Sequence, residues 1–193
     1  MYRDIIKPFL DFVLSITGLL ILSPLFLIVS ILIKLDSSGP IFFTQYRLGR
    51  NNKLFKIFKF RTMKDKKREN RYEIFKDNPE VTKIGKILRR YKIDELPQLI
   101  NVLFGHLSLV GPRPWLPDVL KEIDMDKLCI RSKVKPGLTG LAQINGNIYI
   151  PNDERLRFDI QYVQNLSFIM DVKILLKTLL VIIFGEEKFK KNV

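Results

Sequence analysis

Apolar residues along this chain follow three successive rhythms. The first is unbroken: "FVLSITGLLILSPLFLIVSILI", residues 12–33, runs 22 residues without a charge. As a helix it reaches about 33 Å at roughly 1.5 Å per residue, enough to cross a hydrocarbon core of about 30 Å, so the segment enters lipid. A cleaved signal peptide has a shorter apolar core and a small-residue cleavage site, which the following "IKLDSSGP" does not clearly supply. Ser23 and Pro24 interrupt the middle of the run. Proline removes a backbone donor and clashes with the carbonyl four residues back, and a serine hydroxyl caps the freed carbonyl, so a kink is expected. Two topologies satisfy this pattern: a bent spanning helix, and a re-entrant helix-break-helix that enters and leaves by one face. Arg3 and Lys7 before the run and Lys34 after it favour the second, because cytoplasmic flanks are basic; Asp4 and Asp11 count for little in that rule.

The second rhythm is alternating. "PIFFTQYRLG" and "LFKIFKFRTM" are aromatic-rich, and "GRNNK" between them supplies turn chemistry, which predicts a β-hairpin. Residues 64–78, "KDKKRENRYEIFKDN", are highly charged and read as a mobile surface connection. The third rhythm is helical. Asn78 as cap and Pro79 at the first position open a helix carrying Val81, Ile84, Ile87, Leu88 and Tyr91, which closes on Arg89 and Arg90. Leu96, Leu99, Ile100 and Leu103 repeat the pattern, with Pro97 fixing the start. Near the end, "NDERLRFDIQYVQN" reads as a helix capped by Asn152, with Asp159 a candidate site carboxylate or a solvated face residue. "DVKILLKTLLVIIF", residues 171–184, is apolar but interrupted by Lys173 and Lys177; it either lies in a membrane interface, its lysines reaching headgroups, or packs on the domain. The elements add up to a helix-rich α/β protein: a membrane segment over residues 1–36, and a compact domain over 37–193 with a β-hairpin and amphipathic interfacial helices.

Charge narrows the function. Lys and Arg number 33 against 20 Asp and Glu, a net charge of +13, so the partner is anionic: nucleic acid, anionic lipid or a phosphorylated substrate. The single cysteine, Cys129, excludes an intramolecular disulfide and reads as a small buried hydrophobe. Lys59, Arg61 and Thr62 form a group of phosphate-competent donors at a strand exit, or else a solvated basic face. Against this basic background stands an adjacent acid pair, Asp94 and Glu95, just before Pro97. There the helix dipole and free N–H groups favour an ionised carboxylate and also attract phosphate. Asp94 is then either an ordinary N-cap or, held ionised by Arg89 or Arg90, a covalent nucleophile toward a phosphoryl group. Glu95 points elsewhere, since adjacent helical residues do not share a face.

Four ordered motifs, "KFRTM" (59–63), "DELPQLINVL" (94–103), "SLVGPRP" (108–114) and "VKPGLTGLAQING" (134–146), resemble the bacterial sugar transferase family, the small monotopic phosphoglycosyl transferases. The apolar segment with Ser23 and Pro24 matches as well, and the resemblance covers roughly residues 1–183. It implies a bacterial inner-membrane enzyme with its catalytic domain on the cytoplasmic face. Asp94 would attack the sugar-linked phosphate of a UDP-sugar and release UMP. Polyprenyl phosphate, in bacteria undecaprenyl phosphate, would then take the phosphosugar from the carboxylate. The resemblance also implies Glu95 as the second catalytic acid, a magnesium ion at Asp94, and substrate phosphate contacts from Lys59, Arg61, Arg89, Arg113 and Lys135 with the Gly111–Pro112 turn. Gly111, Gly137 and Gly140 would let backbone N–H groups approach a phosphate, or simply form tight turns.

Three positions depart from the family pattern: Lys135 and Asn147 stand where arginine is common and His106 where an acid is common, and Lys and Arg differ at a bidentate phosphate contact. Arg155 or Arg157 is placed to approach that corner. The only histidine, His106, reads as a helix-end or interface residue. The competing class is a non-catalytic basic module for membrane surfaces or nucleic acid. It leaves the acid pair unexplained, and neither zinc-finger spacing nor an RNA-binding aromatic motif is present, so no nucleic-acid partner is expected.

Overall fold

The computed structural model describes residues 1–65, 78–118 and 124–189. A wide helical turn, Tyr2–Ile6, leads into one long helix, α1 (Lys7–Asp36). Its 30 residues span about 45 Å. Pro24 sits inside it, and the Leu20 carbonyl that loses its backbone donor to the proline accepts the Ser23 Oγ–H at 2.8 Å. The expected interruption is therefore bridged by the neighbouring hydroxyl, and the helix continues as one element. One row of α1 is buried, Lys7, Asp11 and Ser15 toward its start and Val29 and Ile33 toward its end, while Phe9, Leu20, Ile21, Leu27 and Leu35 stay exposed.

The hairpin forms as predicted. Strand β1 (Phe42–Leu48) pairs antiparallel with β2 (Leu54–Phe60), Phe42 opposite Phe60 and Leu48 opposite Leu54. Asn51 and Asn52 turn the chain with φ of 54° and 58°, a left-handed conformation that short amide side chains tolerate. Phe60 then joins Val29, Ile33 and Leu88 in a cluster that seats the end of α1 on the hairpin. The charged connection expected over 64–78 falls largely on residues 66–77, outside those described.

Helix α2 (Lys83–Arg90) starts later than the sequence suggests. Asn78 and Pro79 lie in a turn closed by Val81 N–H to Asn78 O at 3.0 Å, because Val81 must stay extended to bridge Met63. Thr82 is the cap, its Oγ1 accepting from Gly85 N–H at 3.0 Å. Asp94 and Glu95 likewise lie outside the next helix, in a separate tight turn (Ile93–Glu95) that follows left-handed Lys92 (φ 57°). Helix α3 (Gln98–Leu103) begins after Pro97, so neither carboxylate caps it. It packs against α1, close enough that a Cβ on Gly18 would lie 3.3 Å from Leu99. Asn101 is fully buried and clamps α3 to β2, accepting from Phe58 N–H at 3.0 Å and donating to Lys56 O at 2.7 Å. His106 follows the helix end with its ring stacked on Phe55.

Two short strands, β3 (Ser108–Val110) and β4 (Gly137–Thr139), pair in parallel. The three glycines read as phosphate-approach or tight-turn positions serve this pairing. A Cβ on Gly137 would lie 2.0 Å from Gly111 N, and one on Gly140 would lie 2.0 Å from Gly111 O. The N–H groups of Gly111 and Gly137 are already used, donating to Thr139 O at 2.8 Å and Pro112 O at 2.9 Å. Helices α4 (Met125–Arg131), α5 (Asn152–Gln164) and α6 (Phe168–Phe184) complete the domain around Val110, Val134, Ile144, Tyr162, Ile174 and Val181. Pro151, rather than Asn152, occupies the cap of α5. Cys129 is exposed on α4, contrary to its reading as a buried hydrophobe. Helix α6 packs one face on the domain and leaves Ile169, Leu176, Leu179 and Ile183 exposed, while Lys177 turns inward to Asn145 Oδ1 at 2.9 Å.

Gly137→Ala is expected to cost about 3 kcal/mol, the upper end for an overpacked site, because the clash is backbone against backbone. Thermal unfolding in detergent should show a clearly lowered Tm; an unchanged Tm would mean the two strands tolerate separation.

Candidate active site

The acid pair sits where four elements converge: the exit of β2, the end of α2, the turn before α3 and the loop after β3. Glu95 is held by two cations. Its Oε1 accepts from Lys59 Nζ at 2.7 Å, with Arg113 Nη2 at 3.5 Å from the same oxygen. Lys59 and Arg113 hold the Glu95 carboxyl well below the usual range despite its burial, with Lys92 adding to the effect. Asp94 meets the opposite balance. Burial first, and the neighbouring Glu95 charge second, push its carboxyl up to about 6, opposed by Lys59, Lys92 and Arg89. Its Oδ1 is buried without a hydrogen-bond partner among the described residues. Two adjacent carboxyls thus meet separate surroundings: one is neutralised by partners, and the other has an oxygen unmatched among the described residues.

The other predicted residues divide. Arg89 joins the site through Thr62, donating from Nε to Oγ1 at 2.9 Å. Arg61 turns away. Its guanidinium is buried against the loop after α1, donating to Ser38 O and to Ser37 O, the latter at 2.7 Å. Lys135 lies near the far end of α3, where a side chain on Gly105 would come 3.3 Å from its Nζ. Gly111 and Pro112 hold the strand pairing and so fix the base of the loop that carries Arg113. Ser23 and Pro24 lie in α1, away from the acids. Asn147 is buried with φ 47°, and its Nδ2 donates to Glu186 Oε1 at 2.8 Å.

Three residues that support the site escaped the sequence reading. Lys92 adds a charge that reaches both acids. Asn101 fixes α3 to β2 and so sets the acids against Lys59; its signal was a polar residue inside an otherwise apolar helical pattern. Arg131 is buried under the Arg113 loop. Its guanidinium lies 3.8 Å over the Trp115 ring, its Nε donates to Asp159 Oδ2 at 2.8 Å, and its Nη2 donates to the carbonyl of Arg113. Asp159, 1% exposed, is accordingly half of a buried ion pair and not a solvated helix residue.

A family model described as bacterial sugar transferase matches residues 2–185. The chain belongs to the bacterial sugar transferase family. It is therefore an enzyme, a phosphoglycosyl transferase. This sugar transferase is 42% identical over 182 residues to the sugar transferase EpsL of Bacillus subtilis, covering 94% of the chain and 89% of that relative. It is 41% identical over 187 residues to the exopolysaccharide production protein PSS of Rhizobium leguminosarum, covering 90% and 93%. A third relative, named UDP-glucose:undecaprenyl-phosphate glucose-1-phosphate transferase from Escherichia coli, is 39% identical over 177 residues, which are 87% of the chain and 38% of that larger protein.

The described residues of this sugar transferase contain no group of three metal-ligating side chains. A divalent ion bound here would draw most of its oxygens from substrate phosphates and water, the usual arrangement for magnesium, and Asp94 Oδ1 is a carboxylate oxygen placed to join it.

Replacing Arg131 by Lys keeps a cation beside Asp159 but loses the planar fork that reaches Trp115 and the Arg113 carbonyl together. Transfer activity is expected to fall about tenfold, roughly 1.4 kcal/mol in the barrier, with Tm nearly kept. Wild-type activity in this variant would show that the Arg113 loop holds its shape unaided.

Proposed function

We propose that the protein transfers a phosphosugar from a UDP-sugar to polyprenyl phosphate, with Asp94 as covalent nucleophile. The observation that carries this reading is the buried Asp94 carboxylate with an unpartnered oxygen, beside a Glu95 already neutralised by Lys59 and Arg113. An Asp94 oxygen attacks the phosphorus that bears the sugar. The bond from that phosphorus to the UMP oxygen breaks, UMP leaves, and the phosphosugar remains on the carboxylate. The phosphate oxygen of the polyprenyl chain then attacks the same phosphorus, the Asp94–phosphorus bond breaks, and polyprenyl diphosphate sugar is released. Transfer of this kind depends on positioning and charge more than on proton movement, which suits a site built from Lys59, Arg89, Lys92 and Arg113. Magnesium at Asp94, when bound, supplies further neutralisation of the donor diphosphate. Arg61 acts by fixing the loop after α1 to the hairpin exit.

The membrane reading follows from how α1 is held. Near its start, Lys7 and Tyr2 bind Asp171, and Asp11 accepts from Leu109 N–H at 3.0 Å. Near its end, Asp36 accepts from Ile84 N–H at 2.9 Å. Both ends of the helix are thus tied to one body, which supports a re-entrant, monotopic segment over residues 1–36 with the catalytic domain (37–193) on one side. Exposed apolar residues on α1 and α6 would lie in lipid, and the basic remainder favours the cytoplasmic face.

Two measurements test these statements. Wild-type protein in nanodiscs, given magnesium and polyprenyl phosphate, should release UMP from at least one UDP-sugar, and Asp94→Asn should lose at least a hundredfold, about 2.7 kcal/mol. Full activity in Asp94→Asn would remove the nucleophile assignment. In a Cys129→Ser background, thiol labels at Asp4→Cys and Ser38→Cys should react from the same side of sealed vesicles; labelling from opposite sides would defeat the re-entrant topology.

A further inference from the structure

The C-terminal turn Glu186–Phe189 reaches back to the active site. Gly185, at φ 88°, ends α6, and no neighbouring atom lies within 4 Å of where its Cβ would be. Glu186 follows at once, lying just past the stretch shared with the family. Its side chain is only 11% exposed, unusual for a glutamate in a terminal turn. The burial has a reason: Oε1 accepts from Lys92 Nζ at 2.7 Å and from Asn147 Nδ2 at 2.8 Å. Among the described residues, four non-glycine residues have positive φ, and two of them form the hairpin turn. The other two, Lys92 and Asn147, meet at this one oxygen. Left-handed backbone at a non-glycine residue persists where the surrounding structure enforces it, and it concentrates at functional sites.

Lys92 immediately precedes the turn that carries the acids, and its charge is felt by both. An ammonium and an amide N–H converging on one anionic oxygen form the arrangement that a phosphate oxygen takes from the same donors. The segment carrying Glu186 is also held by Phe189, which packs against the core cluster around Val110 and Ile144. Tyr149 donates to Glu187 Oε1 at 2.6 Å in an exposed contact, and the Lys177 ammonium lies 5.7 Å from the Phe189 ring. The glycine before Glu186 gives the turn a pivot.

We propose that Lys92 and Asn147 form a phosphate-binding subsite which the chain's own Glu186 fills in the free protein, and which a substrate phosphate enters by displacing that carboxylate. The proposal rests on the transferase reading only for which phosphate arrives. A phosphate group carries more charge than a carboxylate and offers more acceptor oxygens, so it competes well for Lys92 once the remaining cations hold the rest of the ligand.

The test is isothermal titration of the full-length protein in detergent, with inorganic pyrophosphate in one arm and farnesyl phosphate in the other. Glu186→Gln keeps the shape and removes the charge, and it should bind one of the two probes about fivefold more tightly than wild type. Adding Lys92→Met should abolish the gain. Tighter pyrophosphate binding assigns the subsite to the nucleotide donor; tighter farnesyl phosphate binding assigns it to the lipid acceptor. Unchanged or weaker binding of both probes in Glu186→Gln would overturn the proposal, as would an equal gain in Glu187→Gln, which makes the same charge change one residue away. Binding is read here without turnover, so this outcome is separate from whether wild type releases UMP.

Discussion

The Asp171 carboxylate is buried where four elements meet, and the placement of the long apolar helix depends on how it is satisfied. Lys7 Nζ and the Tyr2 hydroxyl each donate to Oδ2 at 2.6 Å, and the Tyr162 hydroxyl donates to Oδ1 at 2.8 Å while also lying 3.0 Å from Val110 O. Burial and the nearby Asp171 charge hold the Tyr162 hydroxyl well above its ordinary pKa, so it remains a donor at any physiological pH. An isolated buried charge is costly, and one that is paired and fully hydrogen-bonded specifies a single geometry. Here the geometry joins α1, α5, α6 and β3 at one point. The apolar length of α1 gives it affinity for lipid; this polar clasp determines which face the helix turns to the protein.

A similar division of roles shapes the catalytic corner. Adjacent residues in a tight turn project in different directions, so Asp94 and Glu95 meet different surroundings although they are neighbours in sequence. Glu95 is matched by Lys59 and Arg113. Asp94 is buried with an oxygen unmatched among the described residues. The positions of both acids rest on less conspicuous groups: Asn101 between α3 and β2, and Arg131 beneath the Arg113 loop.

Elements with strong periodicity were legible from the sequence. The apolar run, the hairpin with its Asn-Asn turn and the helical repeat at Leu96–Leu103 all appear, because each is fixed by local pattern. Helix starts were less legible: Asn78 and Thr82 are both good caps, and the choice between them came from a bridge to Met63 that is remote in sequence. The acid pair was found, but its place outside α3 was not, since the turn depends on left-handed Lys92. Buried ions were hardest. Nothing local distinguishes Asp159 from a surface acid or Arg61 from a phosphate ligand; their partners lie 28 and 23 residues away. The glycines of the third and fourth motifs were visible as close-approach positions, while what approaches them, another strand, was set by tertiary pairing.

The clasp at Asp171 also orders events during synthesis. Lys7 and Asp171 are 164 residues apart, so the ribosome delivers the apolar helix long before the carboxylate that receives its lysine exists. In that interval Lys7 and Asp11 ride on an apolar segment while their partners on α6 and β3 are still to be made. The clasp therefore closes only when α6 emerges. Formation of the apolar helix and completion of the fold are separate steps, and a chain ending short of α6 would achieve only the first.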